Sequence, residues 1–229
     1  MTGVVVALAL EARCLEARGI VKPDALDAGA ETRIHVAGIG AARARAAAQA
    51  LLDSGARALV SWGSAGALDP RLVRGDLLLP ESILDGGTAF TTDAAWLRIL
   101  LARLGDLRPC TGALLQSGQL LDTAEAKARA RKQTGASAAD MESGAVADVA
   151  AAAGLPFVAI RAVIDRASDN LPLALDAEGR WRTAAIMRGI LHKPGNIAAL
   201  ISLGIGSGAV YRSLGRVAGR LGPGLAAPV

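Results

Sequence analysis

Four acidic residues stand where an otherwise apolar chain has little use for them. Residues 137–144 read SAADMESG, so Asp140 and Glu142 sit two positions apart at the front of an alanine-rich segment. Asp165 closes the run LPFVAIRAVID, which also carries Arg161, and Glu11 follows the first apolar run, VVVALAL. A carboxylate taken out of water without partners is costly. One fed by an apolar strand is therefore either solvated at the rim of a sheet or held in a pocket for acid–base chemistry. For Glu142 and Asp165 the pocket is the favoured reading. Asp140 reads as a cap on the helix that follows. Glu11 stays open between an exposed first-turn helix residue, favoured by the helix dipole, and a catalytic base. The segment GSAG at 63–66 leaves a strand with small residues, so that backbone N–H groups and the Ser64 hydroxyl can approach a ligand closely. It is equally a tight strand-to-helix turn.

Those residues need elements to hold them, and the chain alternates short apolar runs with helical patterns throughout. Strands are predicted over 3–9, 33–38, 58–63, 74–80, 110–117, 136–141 and 156–163, and helices over 41–53, 93–104, 123–133, 142–153, 181–192 and 197–220. This alternation predicts a three-layer α/β/α fold around a mixed, largely parallel twisted sheet. With 229 residues, 52% of them hydrophobic, the chain fits one domain over 1–229. In such sheets ligands collect beyond strand ends, and Glu11, Ser64, Asp140, Glu142 and Asp165 all follow predicted strands. The segment 166–180, RASDNLPLALDAEGR, has no clear period, and a loop of that length is more often functional than structural.

Several classes of protein are excluded or disfavoured. The net charge of +4 comes from 21 Arg and four Lys that are spread out and not interleaved with aromatic residues, which argues against nucleic acid. Two cysteines, Cys14 and Cys110, make neither a disulfide framework nor metal spacing and fit a reducing cytoplasm. No metal and no cofactor is expected. The N-terminus lacks the basic region of a signal peptide. AGIGAAR has Arg43 where a dinucleotide fingerprint needs its third glycine, and WGSAG has Trp62 at the first glycine of a nucleophile elbow. Residues 194–211 carry no charge over eighteen positions, yet Pro194, Gly195 and Asn196 open the stretch. Arg212, Arg216 and Arg220 then share one helical face. The region 194–221 reads as a packed helical extension with a basic amphipathic end, with contact to a lipid surface as the alternative.

Taken in order, ALALEA at 7–12, AGIG at 37–40, GSAGAL at 63–68, RGDLLLPE at 74–81, SGQLL at 117–121 and DMESGAVADVAAAAGLPFVAIRAVID at 140–165 resemble the nucleoside phosphorylase and methylthioadenosine/S-adenosylhomocysteine nucleosidase superfamily. The resemblance spans nearly the whole chain and implies cleavage of the bond between a purine and ribose. On that pattern Asp165 would protonate or hydrogen-bond the purine N7, Glu142 would hold the ribose hydroxyls, and Met141 would pack on the sugar. Glu11 would take a proton from the attacking water, positioned by Ser64 and Arg161, and Ala65, Gly66 and Leu121 would line the base. Ser61 stands where phosphorolytic members carry a phosphate-binding arginine, which implies hydrolysis. Leu121 in place of an aromatic residue, Ile164 in place of serine, and an apolar lid of Leu171, Leu173, Leu175 and Trp181 set this chain apart from the small methylthioadenosine enzymes. These departures resemble the hopanoid-associated branch, whose implied substrate is the lipid nucleoside adenosylhopane. A homodimer or higher oligomer at the cytoplasmic membrane face, touching it through 194–221, is implied as well.

Overall fold

The computed structural model describes residues 1–20, 31–171 and 195–228, and over 195–205 only the backbone. Nine strands form its sheet: β1 (Thr2–Val6), β2 (Thr32–Val36), β3 (Ala58–Ala67), β4 (Leu77–Leu78), β5 (Ser82–Asp85), β6 (Thr88–Thr91), β7 (Leu114–Gln116), β8 (Ala138–Asp140) and β9 (Phe157–Asp165). Among the described residues six α-helices accompany them: α1 (Ala9–Glu16), α2 (Ala41–Asp53), α3 (Ala94–Leu104), α4 (Ala124–Thr134), α5 (Ser143–Ala152) and α6 (Gly195–Leu221).

Alternation along the central strands divides the core between two faces. Val4, Val6, Val60, Trp62, Val158 and Ile160 pack with Leu15, Trp96, Leu214 and Val217 from α1, α3 and α6. Val5, Leu59, Phe157 and Ala159 pack with Ala44, Leu51, Ala145 and Val146 from α2 and α5. Helices on both faces of a sheet that is parallel over β2, β1, β3 and β9 are the expected three-layer α/β/α arrangement.

β3 is the hinge of the sheet. Its first half pairs with β1, its whole length runs beside β9, and its last two residues pair antiparallel with β8. The register against β9 slips between Ala65 and Gly66, so the strand bends where it reaches the cluster of candidate residues.

The helices start and stop where the local chemistry dictates. Asp93 accepts the Trp96 N–H at 2.7 Å and Thr123 accepts that of Ala126 at 3.2 Å, each capping its helix, while Gly135 ends α4 in the left-handed conformation. Along the end of α6, Val210, Leu214, Val217 and Leu221 face the core, and Arg212, Arg216 and Arg220 face water.

Two elements correct the sequence reading. β1 ends at Val6 and α1 begins at Ala9, because the alternating ALAL run feeds a helix whose Glu11 side chain takes the Leu8 N–H at 3.0 Å. β5 and β6 form a hairpin over residues left unassigned. Its signal was Gly86-Gly87, both at positive φ, between two short runs. The predicted helix 181–192 lies outside the described residues.

α6 approaches β9 so closely that Gly206 has no room for a side chain. A Cβ there would lie 2.1 Å from the Ile164 carbonyl oxygen. Gly206→Ala is expected to destabilise the protein by about 1–3 kcal/mol, since the obstacle is backbone. Gly215→Ala, on the same helix with nothing within 4 Å of its new Cβ, is expected to be neutral or slightly stabilising by helix propensity. Thermal denaturation of the two variants checks both.

Candidate active site

At the end of the sheet where β3 and β9 meet α1, β8 and α5, a cavity of about 170 Å³ opens. Its wall includes Glu11, Ser64, Ala65, Gly66, Leu121, Met141, Glu142, Asp165 and Leu171. Nine of the candidate residues are thus brought together from six separate stretches of chain. Leu173, Leu175 and Trp181 lie outside the described residues. Arg161 is not on the wall but directly behind it.

Glu11 is buried, which settles its position against the exposed alternative. Its Oε1 accepts the Ser64 N–H and the Ser64 hydroxyl, both at 2.8 Å, and its Oε2 accepts the Leu8 N–H. Trp62, wholly buried beneath it, donates its indole N–H to the Glu11 carbonyl at 3.3 Å. A Cβ on Gly63 would meet the Glu11 carboxylate and the Arg161 guanidinium, each at 2.7 Å, and Gly63 has φ +154°. Only glycine lets these two groups flank the strand.

Asp140 does begin α5, accepting the Ser143 N–H at 3.2 Å, but it does more. Its carboxylate lies 2.7 Å from Arg161, whose guanidinium also donates to the Ser61 hydroxyl at 2.5 Å and the Ser143 hydroxyl at 2.9 Å. Ser61 and Ser143 therefore help to satisfy a buried cation. Glu142 takes the Gly40 N–H at 2.8 Å, which draws the AGIG turn onto the cavity. Asp165, on the same cavity wall, makes a buried ion pair with Lys127.

Lys127 is the residue that sequence reasoning missed. α4 is so rich in charge that its periodicity does not separate a buried lysine from exposed Lys132, and no local motif marks it.

Four carboxylates, Glu11, Asp140, Glu142 and Asp165, thus share this buried region with two cations, Arg161 and Lys127. The excess of acid raises proton affinities. Burial, reinforced by the charge of Asp140 and opposed by Arg161, pushes the Glu142 carboxyl up to about 7. Burial also pushes Asp165 up, against the opposing pull of Lys127. Such a site holds an acid, a hydrogen-bonded carboxylate and a net negative field facing one apolar cavity. That combination can protonate a leaving group, deprotonate a nucleophile and stabilise a developing cation. Among the described residues there is no cluster with the make-up of a metal site.

Comparison with known proteins gives the class. Residues 26–192 match the family model of the Phosphorylase superfamily, and the chain belongs to that superfamily. Its fold is similar to that of a methylthioadenosine/S-adenosylhomocysteine nucleosidase from Neisseria meningitidis in complex with methylthio-immucillin-A. That match has a TM-score of 0.72 and 20% identity and covers 96% of this chain and 97% of the other. Futalosine hydrolase of Helicobacter pylori is similar at a TM-score of 0.70 and 17% identity, covering 93% of this chain and 94% of that one. Comparison with curated proteins by sequence finds no match.

The raised proton affinity of Glu142 has a testable sign. With its carboxyl near 7 when folded and near the ordinary 4.5 when unfolded, folding takes up a proton between those values. Its contribution to stability therefore falls as pH rises from about 4.5 to about 7 and stays low above that. Glu142→Gln removes the ionisation, so the melting temperature of that variant relative to the unaltered protein is expected to climb across this window. A difference that is flat with pH would contradict the burial argument.

Proposed function

We propose that this protein is a purine nucleosidase that hydrolyses the N-glycosidic bond of a 5′-modified adenosine, with adenosylhopane as substrate and adenine and ribosylhopane as products. The observation that carries the reading is that Glu11, hydrogen-bonded to Ser64, and Asp165, paired with Lys127, line one cavity together with Glu142 and Met141. Asp165 protonates or hydrogen-bonds the leaving purine at N7. Glu142 accepts the ribose hydroxyls while Met141 packs on the sugar. Glu11 takes the proton of the attacking water, which Ser64 orients, and Arg161 holds Ser64 from behind through its carbonyl at 3.4 Å. Ala65, Gly66 and Leu121 line the base.

Hydrolysis is favoured over phosphorolysis by charge. The guanidinium behind the nucleophile side is already shared among Asp140, Ser61 and Ser143, and a carboxylate faces the place a phosphate would occupy. Similarity to nucleosidases supports the same choice.

The apolar 5′ group is supported by what adjoins the cavity. A small chamber of about 30 Å³ shares Leu8, Glu11, Ser64 and Ile164 with it and reaches Val210 and Tyr211 on α6. Leu8, Leu10 and Tyr211 are exposed at its rim, and a groove between α1 and α6 continues past Arg18, Arg212 and Arg216. Apolar side chains beside arginines suit the surface of an anionic bilayer. No helix among the described residues is long and apolar enough to cross a membrane, and the contact proposed is a peripheral one. Replacing Arg212 and Arg216 by alanine is expected to reduce co-sedimentation with anionic liposomes several-fold and to leave the little seen with neutral ones unchanged. Equal sedimentation of both proteins would remove the membrane from the account.

The function itself is tested by incubating the protein with adenosylhopane in detergent or liposomes, with and without phosphate, and following adenine and the sugar product by mass spectrometry. Methylthioadenosine runs alongside. Free ribosylhopane formed without phosphate is the expected result, and Asp165→Asn is expected to lower the rate about 10²–10⁴-fold while the protein remains folded. Strict dependence on phosphate would make the protein a phosphorylase, and cleavage of methylthioadenosine alone would remove the lipid substrate.

A further inference from the structure

We infer that Lys127 is a positioning residue for Asp165: it fixes one carboxylate oxygen and the turn that follows, and it stabilises the carboxylate left when Asp165 gives up its proton. The inference rests on the nucleosidase reading for the identity of the acid, and on the geometry below for the role of the lysine.

Lys127 is 1% exposed, and its ammonium has three acceptors around it. They are Asp165 Oδ2, the Arg166 carbonyl at 2.9 Å and the Asp169 carbonyl at 3.0 Å. An ammonium has three protons, so all three are used and the lysine serves as a fixed charge. It is neither a nucleophile nor a base in this state. Further bonds fasten the same region. The Asn170 side-chain oxygen accepts the Ala124 N–H at 2.8 Å, the Leu171 N–H reaches the Asp122 carbonyl at 2.7 Å, and Arg74 pairs with Asp169 at 2.6 Å. The start of α4 and the turn 166–169 are therefore one strapped unit with Lys127 at its centre. With Oδ2 committed, Oδ1 is the oxygen nearer Gly66 on the cavity wall, where an added Cβ would come within 3.2 Å of it.

The chemistry explains why a cation belongs there. As the bond between ribose C1′ and the purine N9 breaks, its electron pair goes to the base, and the proton on Asp165 passes to N7. Water forms the new bond to C1′ and loses its proton to Glu11. Asp165 is then a carboxylate in a desolvated site, and the ammonium against Oδ2 is its counter-charge. In such a site a carboxyl without a cation holds its proton too firmly to act as an acid at neutral pH. Burial raises Asp165 even with the lysine present.

The test follows Asp165 directly, by titrating its ¹³Cγ resonance with Asp165→Asn as the assignment control. In Lys127→Met the titration is expected to move up by more than about one pH unit, and in Lys127→Arg to stay within about half a unit of its original position. The high-pH limb of kcat/KM is expected to move with it, and kcat to fall about 10–100-fold while KM changes little. An unmoved titration in folded Lys127→Met overturns the inference, because a merely structural lysine would alter melting and rate without moving it. Should that variant fail to fold, the unaltered protein decides: the Lys127 ¹⁵Nζ resonance is expected to shift as Asp165 titrates, and one blind to that titration overturns the pairing. The two readings fail separately. If no nucleoside is cleaved, the nucleosidase reading falls while the resonances still report the pair; if cleavage occurs and the titration does not move, only the role of Lys127 falls.

Discussion

Six ionisable side chains, Glu11, Lys127, Asp140, Glu142, Arg161 and Asp165, are withdrawn from water at one end of this sheet, and only two of them are positive. The rest of the structure depends on keeping that arrangement tolerable. Two carboxylates receive a cation each: Asp140 takes Arg161 and Asp165 takes Lys127. The other two are held by dipoles, Glu11 by two backbone N–H groups and a hydroxyl and Glu142 by the N–H of Gly40. A buried charge with fixed donors around it is stable enough to exist and still available to a ligand.

That requirement reaches back into the backbone. Donors can face Glu11 only because α1 begins immediately beyond β1 and because Gly63 carries no side chain between the carboxylate and Arg161. Asp165 reaches the cavity because β9 runs the full length of β3 and the register slips at Gly66, turning the last residues toward the opening. Behind β9, Gly206 lets α6 lie against Ile164, so the C-terminal helix fixes the strand that bears Asp165. Two apolar core faces, one on either side of the sheet, supply the rigidity that such placement demands.

How much of this could be read from the sequence varied with how local the cause was. The layers followed from hydrophobic alternation, because Val4 to Val6 and Phe157 to Ile160 can only be strands covered on both sides. The carboxylates stood out because each interrupts an apolar run. Asp140 was legible as a helix start but not as the partner of Arg161, since the two are 21 positions apart and meet only when β8 and β9 converge on β3. The bonds of Ser61 in β3 and Ser143 at the start of α5 to Arg161 were equally illegible: a serine does not show what it binds until the guanidinium it faces is known. Lys127 was the largest omission, and its reason is physical. Nearly half of helix α4 is charged, so the one lysine turned inward is identified by its acceptors, two of them main-chain carbonyls that lie some forty residues further along. Composition cannot reveal such a contact.

The surplus of negative charge links stability to chemistry. In the resting site it is a burden, eased by protons that Glu142 and Asp165 hold more firmly than free carboxyls do. A reaction that generates positive charge on a ribose reverses the sign of that burden, because the field that destabilised the empty site then stabilises the transition state. On the function proposed above, binding a neutral nucleoside would gain little from it, whereas breaking the glycosidic bond would gain most. Replacing Glu142, which has no cation of its own, by its amide should therefore help the fold at neutral pH and harm the rate, the opposite of what a residue retained for packing would do. The same field disfavours an anionic nucleophile such as phosphate and leaves neutral water, deprotonated only as it attacks, as the reactant best suited to this cavity.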